Sequence, residues 1–264
     1  MTLRARHASD GLYLDGFNYD RVTMKRVRKV LDRASGGNAT HSHGRKIIDF
    51  HCMQAFHNNY GEYGNVSVAL GFMAHLPFID SLWFGEGFDL GPSMSKEHWL
   101  IEQSGVLWGQ FSEMLAGPVN LWKGMLFGET GRAPMVNMKP LYQLWDAVHI
   151  EEMELCGWWN TSARGCPAHT SAAELVPLTS YHCSHCQSAK AGGPAAMFAI
   201  ASFAPSAVNV TLSIDWERLG FEEAASVLSA PAVAGFQAAR VFQPNDAVTV
   251  LPSQGILLVV TGRR

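Results

Sequence analysis

The chain has 264 residues, of which 47% are hydrophobic and 16% charged, and its formal net charge is −3. This composition is ordinary for a globular protein with one large domain, or with one domain and a smaller one. The near-neutral charge predicts neither nucleic acid nor a membrane surface as a partner, and no apolar run is long enough to span a bilayer.

Two features bear on localisation. Residues 1–7 lack the apolar core of a signal peptide. Four Asn-x-Ser/Thr sites fit a secreted glycoprotein, although chance alone produces some of them: Asn38, Asn65, Asn160 and Asn209. The sequence therefore leaves the localisation open, with a secreted or lumenal protein as one option.

The first predicted element is a short, buried parallel strand, Leu12–Leu14, which follows the turn signal at Asp10 and stops at Asp15. A carboxylate at the carboxyl end of a parallel strand points into the crevice where α/β folds bind ligands. Asp15 is therefore a candidate functional residue. The alternative is that it only caps the next turn.

A helix is predicted next, with Asp20 as its N-cap. One stripe of this helix is apolar and is predicted to face the core: Val27, Val30, Leu31 and Ala34. The other faces are basic and are predicted to be solvated, with an anion-binding face as the alternative: Arg21, Lys25, Arg26, Arg28, Lys29 and Arg33.

Two further runs are predicted as strands of the same kind, Lys46–His51 and residues 76–87. Helical character is predicted at residues 95–103 and again at residues 141–148, where Pro140 opens the helix. The run Met153–Trp159 is predicted as the last strand of this N-terminal region.

Beyond about residue 165 the pattern becomes that of an antiparallel β-domain. From Val208 to Trp216, apolar and polar residues alternate strictly, as in a strand with one solvated face. Further short strands are predicted at Met197–Phe203, Ala239–Phe242, Ala247–Leu251 and Gly255–Val260. We therefore predict two domains: a barrel-like domain over residues 1–165 and a small antiparallel β-sandwich over residues 166–264.

The predicted ends of the first three strands carry Asp15, His51 and Glu86, spaced by 36 and 35 residues. A (β/α)₈ barrel repeats roughly every 30–40 residues, so these runs are predicted to be consecutive barrel units. Asp15 and Glu86 would then lie on alternate strands and face the same mouth. Since about five units can be found instead of eight, the predicted fold is α/β, a partial (β/α)₈ TIM-barrel, with the missing N-terminal part of the barrel as an expected partner.

Several segments resemble glycoside hydrolases of family 123: residues 10–16, 21–30 and 76–88, His98-Trp99, Gly109, Trp145-Asp146 and Ile214-Asp215-Trp216. The resemblance implies a TIM barrel with a β-sandwich and β-N-acetylgalactosaminidase activity. It also implies an adjacent Asp-Glu pair, in which Glu is the acid and Asp orients the acetamido group of the substrate. In this chain Asp15 is followed by Gly16. The arrangement is also similar to α-galactosidase-type barrels, with a nucleophilic Asp at the end of the fourth strand and the acid on the sixth, which Asp15 and Glu86 would fit.

Glycoside cleavage needs one carboxyl group to protonate the leaving oxygen and another to attack or stabilise the developing cation. We assign Asp15 as nucleophile or stabiliser and Glu86 as acid/base, because Glu86 follows an aromatic run that would favour its protonated form. The alternative for Glu86 is a turn carboxylate, and Asp80, six residues earlier on the same run, is its rival for the acid/base role. Candidate carbohydrate-binding residues are His51, Asp80, Trp83, Asn18 and Trp159, with core packing as the alternative for the histidine and the tryptophans.

Cys183 and Cys186 have a zinc-ligand spacing, but no second compact pair accompanies them. A loop pair, free or disulfide-linked, is therefore predicted, with no metal and no other cofactor. The five cysteines show no readable disulfide framework. The main hypothesis is a glycoside hydrolase; the alternative is a non-catalytic carbohydrate-binding or structural remnant of a truncated glycosidase.

Overall fold

The computed structural model describes residues 11–14, 20–34, 46–51, 75–83, 95–103, 118–128, 137–160, 165–183 and 196–262. The chain forms two compact units. The first comprises Met1–Asp89 and Ile101–Met114, and the second comprises Leu90–Leu100 and Leu115–Arg264. Over the described segments, no helix has both the length and the apolar character needed to cross a membrane.

The first unit contains a three-stranded parallel sheet made of β1 (Gly11–Leu14), β2 (Ile47–His51) and β3 (Ser81–Trp83), in the order β1-β2-β3. This confirms the three predicted parallel strands and their succession. In the predicted run 76–87, however, the first part is a 3₁₀ turn over Leu76–Phe78, because Pro77 fixes its own φ and offers no N–H to a sheet.

Burial differs between these strands. Ile48 and Phe50 of the central strand β2 are fully buried, whereas Leu12 and Tyr13 of β1 are 39% and 46% exposed. The prediction that β1 is a buried strand was therefore wrong. The physical reason is that β1 is an edge strand of the described sheet, with a neighbour on one side only.

The predicted helix is present as α1 (Arg21–Ala34). Asp20 is its N-cap: one carboxylate oxygen accepts from the Thr23 backbone N–H at 2.9 Å and the other from the Thr23 hydroxyl at 2.8 Å. These hydrogen bonds, the backbone one first, lower the pKa of Asp20.

The buried stripe of α1 is displaced from the predicted one. Met24 and Arg28 are buried, while Val30 is 62% exposed. Residues i and i+4 lie on the same face of a helix. Arg28 therefore lies on the buried face together with Met24. The expectation that Arg28 is solvated was therefore wrong.

Three more helices of at least two turns follow in the described parts of the chain: α2 (Lys96–Gln103), α3 (Pro118–Met125) and α4 (Lys139–Val148). The predicted helices at 95–103 and 141–148 are confirmed as α2 and α4. Pro140 lies in the first turn of α4, where its missing N–H costs no hydrogen bond.

The second unit is dominated by a six-stranded antiparallel sheet of order β11-β10-β13-β7-β6-β4. Its strands are β4 (Glu154–Cys156), β6 (Leu178–His182), β7 (Ala196–Ala201), β10 (Ser226–Ala230), β11 (Arg240–Phe242) and β13 (Gly255–Gly262). The run Met153–Trp159 was predicted as the last barrel strand, and this was wrong: β4 pairs antiparallel with β6. The three residues of β4 add one more strand to the edge of the large sheet at β6. A run this short does not show in its sequence which sheet it will join.

Two small antiparallel sheets accompany the large one. They pair β5 (Ala168–Thr170) with β9 (Leu212–Ile214), and β8 (Val208–Val210) with β12 (Val248–Val250). The single strand predicted from Val208 to Trp216 is therefore two strands with different partners. Trp216 instead opens a short helix, α5 (Trp216–Leu219), capped by the Asp215 carboxylate.

One apolar core joins these sheets. Its fully buried members include Phe198, Ile200 and Leu258 from the large sheet together with Val210 and Val248 from a small one. The antiparallel β-domain is thus confirmed, while the sandwich architecture stays a prediction.

Helix α3 covers the other face of the large sheet. The Tyr181 hydroxyl donates to the Met125 carbonyl, and the Thr179 hydroxyl donates to the Leu126 carbonyl at 2.7 Å. All six residues of β7 are buried. A strand covered on both faces reads as a continuous apolar run, as the sequence of β7 does.

Candidate functional site

The carboxyl ends of the three parallel strands define one edge of the first sheet. β1 ends at Leu14 opposite Phe50, and β2 ends at His51 opposite Trp83, the last residue of β3. Ligands of parallel α/β folds bind at this edge. With neighbouring strands about 4.8 Å apart, the ends of β1 and β3 are separated by roughly 10 Å.

The predicted catalytic residues follow this edge in the sequence. Asp15 comes directly after Leu14, and Glu86 comes three residues after Trp83. Asp15, Glu86 and the predicted substrate-binding residue Asn18 all lie outside the described residues, so their roles stay predictions.

His51 and Trp83 are brought together by the strand pairing, as cross-strand partners at the carboxyl ends of β2 and β3. The structure describes their backbones and not their side chains. They lie at the carboxyl ends of two neighbouring parallel strands, and their contact with substrate stays a prediction.

Asp80 lies at the opposite end of β3, one residue before the strand begins. Its Oδ2 atom accepts hydrogen bonds from the Ile48 backbone N–H at 2.8 Å and from Arg28 Nη1 at 2.9 Å. Asp80 was predicted to bind substrate. These contacts give the Asp80 carboxylate a structural role at the edge where the strands begin. Its contact with substrate stays a prediction.

Arg28 completes this arrangement with further bonds. Its Nε donates to the Asp32 carboxylate and its Nη2 donates to the Lys46 carbonyl, both at 2.7 Å. The side chain is only 6% exposed, so its charge is satisfied inside the first unit. The available sequence signal was the position of Arg28 four residues after Met24, on the same helix face.

In the second unit, Trp159 belongs to an aromatic cluster. Its ring stacks on Phe127 with centroids 5.2 Å apart and meets Trp158 edge-on at 5.9 Å, while Trp99 stacks on the same Phe127 at 6.0 Å. The Trp159 ring also closes over Gly157, where a Cβ atom would collide with it. These contacts give Trp159 a packing role; its predicted contact with a sugar stays a prediction.

Two tryptophans of this cluster keep an unused polar group. Within the described segments, the buried Nε1 atoms of Trp99 and Trp158 have no hydrogen-bond partner. Buried donors are nearly always satisfied by protein, water or ligand. The cluster therefore has the capacity to donate two further hydrogen bonds.

Lys96 sits beside this cluster, with Nζ 5.0 Å from the centroid of the Trp158 ring. The same atom lies 2.7 Å from carboxylate oxygens of both Glu97 and Glu174. Burial acts to lower the pKa of Lys96, but the bonds to Glu174 and Glu97 outweigh it and raise that pKa. The bond from Lys96 in turn lowers the pKa of Glu97. Lys96 therefore forms a charged bridge between Glu97 and Glu174 and is not a proton donor at neutral pH.

A cleft of about 590 Å³ opens over this bridge. Its walls include Ser95, Glu97, Glu174, Phe203 and Ser253. Such a volume is within the range of small-molecule sites. The sequence pointed to none of these residues, because they come from separate parts of the chain.

Lys123 is fully buried, with Nζ 4.6 Å from the centroid of the ring of Phe203, which also lines the cleft. Burial lowers the pKa of Lys123. A buried lysine is uncommon, and the sequence pattern of α3 did not predict that Lys123 would be buried.

Cys156 and Cys166 form a disulfide, which the sequence did not indicate. Cys183 is half-buried just after β6, and Cys186 lies outside the described residues, so the predicted loop pair stays a prediction. In the parts of the chain that the structure describes, no three His, Cys, Asp or Glu side chains are grouped to hold a metal ion.

Comparison with known families is decisive for the chain as a whole. Residues 2–134 match the family model described as the TIM-barrel domain of glycoside hydrolase 123, and residues 137–261 match that of the glycoside hydrolase 123 C-terminal domain. The chain belongs to glycoside hydrolase family 123. The resemblance noted in the sequence is thereby confirmed. No curated protein matches this family 123 chain significantly.

The two family 123 matches divide the chain between α3 and α4. The barrel match contains the parallel strands β1 to β3, and the C-terminal match contains the described antiparallel strands up to the last residue but one of β13. Membership in family 123 makes this a chain of glycoside hydrolase type. It does not identify the catalytic residues of this chain.

Proposed function

We propose that this family 123 chain hydrolyses O-glycosidic bonds, with Asp15 as nucleophile or stabiliser and Glu86 as acid/base. One observation carries the assignment: β1 and β3 run parallel on either side of β2 and end at the same edge of the sheet. Residues that follow these two ends are candidates to face each other across a bound sugar.

The spacing of the strands suits the chemistry. Strand ends roughly 10 Å apart leave room for two carboxyl groups that lean towards a common centre. Carboxyl groups about 5–5.5 Å apart support retention through a covalent intermediate, and those about 6.5–9.5 Å apart support inversion. A substrate-assisted route would instead use the acetamido oxygen of the sugar.

Leaving-group dependence tests the two roles separately. Glu86→Gln is expected to reduce hydrolysis strongly for alkyl glycosides and weakly for aryl glycosides with acidic phenols, because a good leaving group needs no proton. Asp15→Asn is expected to reduce both by about 10³-fold or more, as lost stabilisation of about 4 kcal/mol implies. Glu223→Gln, an exposed position, is the matched control. Full activity of Asp15→Asn on either class of substrate, or of Glu86→Gln on alkyl glycosides, would remove that residue from its role.

The acetamido group provides a second test. Asp15 is followed by Gly16, unlike the adjacent Asp-Glu pair that the resemblance implies. Attack by Asp15 itself predicts hydrolysis of both aryl galactosides and aryl N-acetylgalactosaminides. Strict dependence on the acetamido group would support the substrate-assisted route and reduce Asp15 to an orienting role.

We further propose that Asn18, His51, Trp83 and Trp159 bind the carbohydrate. His51 and Trp83 are supported by their place at the strand ends. Substitution of either by Ala is expected to raise KM more than it lowers kcat, since the lost contacts exist in both ground and transition states. An unchanged KM would count against the residue.

The absence of an acid directly after Asp15 favours one alternative, a non-catalytic carbohydrate-binding or structural remnant. A carbohydrate-binding remnant would bind a sugar saturably, and a structural remnant would bind none. Neither would hydrolyse any chromogenic glycoside. Calorimetry and a glycoside screen on the same preparation separate it from the hydrolase.

The proposed partner is a further part of the barrel. Exposed apolar side chains occur on β1, on β2 and along α1: Leu12, Tyr13, Val22, Val30 and Ile47. Such surface is characteristic of contact sites. Added barrel strands are expected to slow amide exchange in Gly11–Leu14; unchanged exchange would exclude docking at β1.

A further inference from the structure

The small sheet of β8 and β12 presents an Asn-x-Thr site on its solvent face. Asn209 and Thr211 are exposed, while Val210 between them is fully buried in the core. Because side chains alternate along extended backbone, Asn209 and Thr211 lie side by side on the outer face. This is the pair of side chains that defines an N-glycosylation acceptor.

The carboxamide of Asn209 is already oriented. Its Oδ1 atom accepts a hydrogen bond of 2.7 Å from the hydroxyl of Thr249 on the neighbouring strand. Among the described residues, nothing accepts a hydrogen bond from its Nδ2 atom. At Asn160, by contrast, Nδ2 donates to Cys156 Sγ at 3.3 Å. Asn209 therefore offers its amide nitrogen to solvent without the loss of a contact.

The disulfide supplies an independent indication of the compartment. Cys156 and Cys166 are 5% and 6% exposed and are joined to each other. Disulfides form and persist in oxidising compartments, such as the lumen of the secretory pathway. N-linked glycans are attached to secreted proteins as well, on surface Asn-x-Ser/Thr sites.

We propose that Asn209 carries an N-linked glycan. The donor is a glycan bound through its anomeric carbon to a polyprenyl pyrophosphate. A bond forms between Asn209 Nδ2 and that carbon, the bond from the carbon to the pyrophosphate oxygen breaks, and the amide proton leaves with the pyrophosphate. The product is still an amide, so its Oδ1 keeps the hydrogen bond from Thr249.

The proposal is independent of glycosidase activity. A glycan at this position projects from the solvent face of β8, and Val210 and the core behind it are unaffected. Since neither Asn209 nor Thr249 belongs to the proposed catalytic edge, removal of the glycan is expected to leave hydrolysis of small glycosides unchanged.

The test is peptide mapping of the full chain, purified from its own cells and from a eukaryotic secretory host. Enzymatic release of N-glycans in ¹⁸O-water converts a glycosylated Asn to labelled Asp. We expect the label at Asn209 from both sources, and its loss in Asn209→Gln and in Thr211→Ala. Thr211→Ser retains the acceptor hydroxyl and is expected to retain the label.

Asn160→Gln is the control variant, and it is expected to leave the Asn209 label unchanged. An unlabelled Asn209 in chain from its own cells, with the Cys156–Cys166 bond intact, would overturn the proposal. A label at Asn209 only in the secretory host would also overturn it, because it would show a competent acceptor that the protein does not use. The Asn209→Gln protein is mass-analysed after its folded fraction has been isolated. Loss of the label in that fraction cannot be caused by misfolding.

Discussion

Nη1 of Arg28 lies 2.9 Å from Oδ2 of Asp80, and this contact ties the middle of α1 to the residue that leads into β3. The same carboxylate oxygen also accepts from the Ile48 backbone N–H. One acidic group therefore holds a helix and two parallel strands together. A basic residue that the helical pattern assigned to solvent is instead a central element of the first unit.

Loss of Arg28 is expected to destabilise the first unit. Arg28→Ala removes the hydrogen bonds that the guanidinium group donates to the partly exposed Asp80 carboxylate and to the Lys46 carbonyl. We expect a loss of about 2–4 kcal/mol in the free energy of unfolding. Urea denaturation followed by circular dichroism measures it.

Lys29→Ala is the control for this prediction, because Lys29 is exposed on the same helix. Its effect is expected to stay within about 0.5 kcal/mol. Equal effects of the two substitutions would contradict a specific role for the ion pair.

Removal of the Cys156–Cys166 disulfide is expected to lower stability through the entropy of the unfolded chain. The two cysteines are 10 residues apart in sequence, for which loop closure predicts about 2.5–3 kcal/mol. The Cys156→Ser/Cys166→Ser double variant should show this loss in thermal unfolding. Reductant should lower the wild type to the same level and leave the double variant unchanged; free thiols at both positions in unreduced wild type would refute the bond.

Stability is expected to fall as the pH drops below neutrality because of His182. Burial, with a smaller effect of Arg218, lowers the pKa of His182 in the folded chain. Between that lowered pKa and the unfolded value of about 6.5, the unfolded chain binds more protons, so acid favours unfolding.

The His182→Gln variant tests this linkage. Its loss of unfolding free energy between pH 7.5 and 5.5 should be smaller than that of the wild type. His75, whose pKa burial also lowers, contributes equally to both chains and cancels in the comparison. Identical pH profiles would show that His182 is not a source of the dependence.

Gly255 is expected to be intolerant of a side chain. A Cβ atom there would overlap the Ile200 carbonyl oxygen and lie 2.7 Å from the Trp122 ring. Because both neighbours are fixed, one in β7 and one in buried α3, Gly255→Ala should cost about 2–3 kcal/mol.

Gly235→Ala is the matched substitution for Gly255. Gly235 has a positive φ of 84° but open space around its Cβ direction, so only backbone strain of about 1 kcal/mol is expected. A smaller effect at Gly255 than at Gly235, in the same chemical denaturation assay, would contradict the close approach of α3 to β13.

Elements with a strong local signal were predictable from the order of the amino acids. Asp20 capped the predicted helix, Pro140 opened another, and the runs before Asp15 and after Lys46 became parallel strands. Periodicity and capping depend on neighbours within one turn or one strand, which the sequence displays directly. The family resemblance drew in part on the same segments, residues 10–16 and 21–30 among them.

The fold of the whole chain sets the pairings between distant residues. It placed Arg28 beside Asp80, gave β4 to the antiparallel sheet, and joined Cys156 to Cys166. It also divided the regular alternation after Val208 between two partner strands. The local pattern of a segment shows which face of a helix or strand is apolar. It does not show which other element that face or edge will pair with. The pairing depends on contacts between residues far apart in the sequence, and these form only when the whole chain packs.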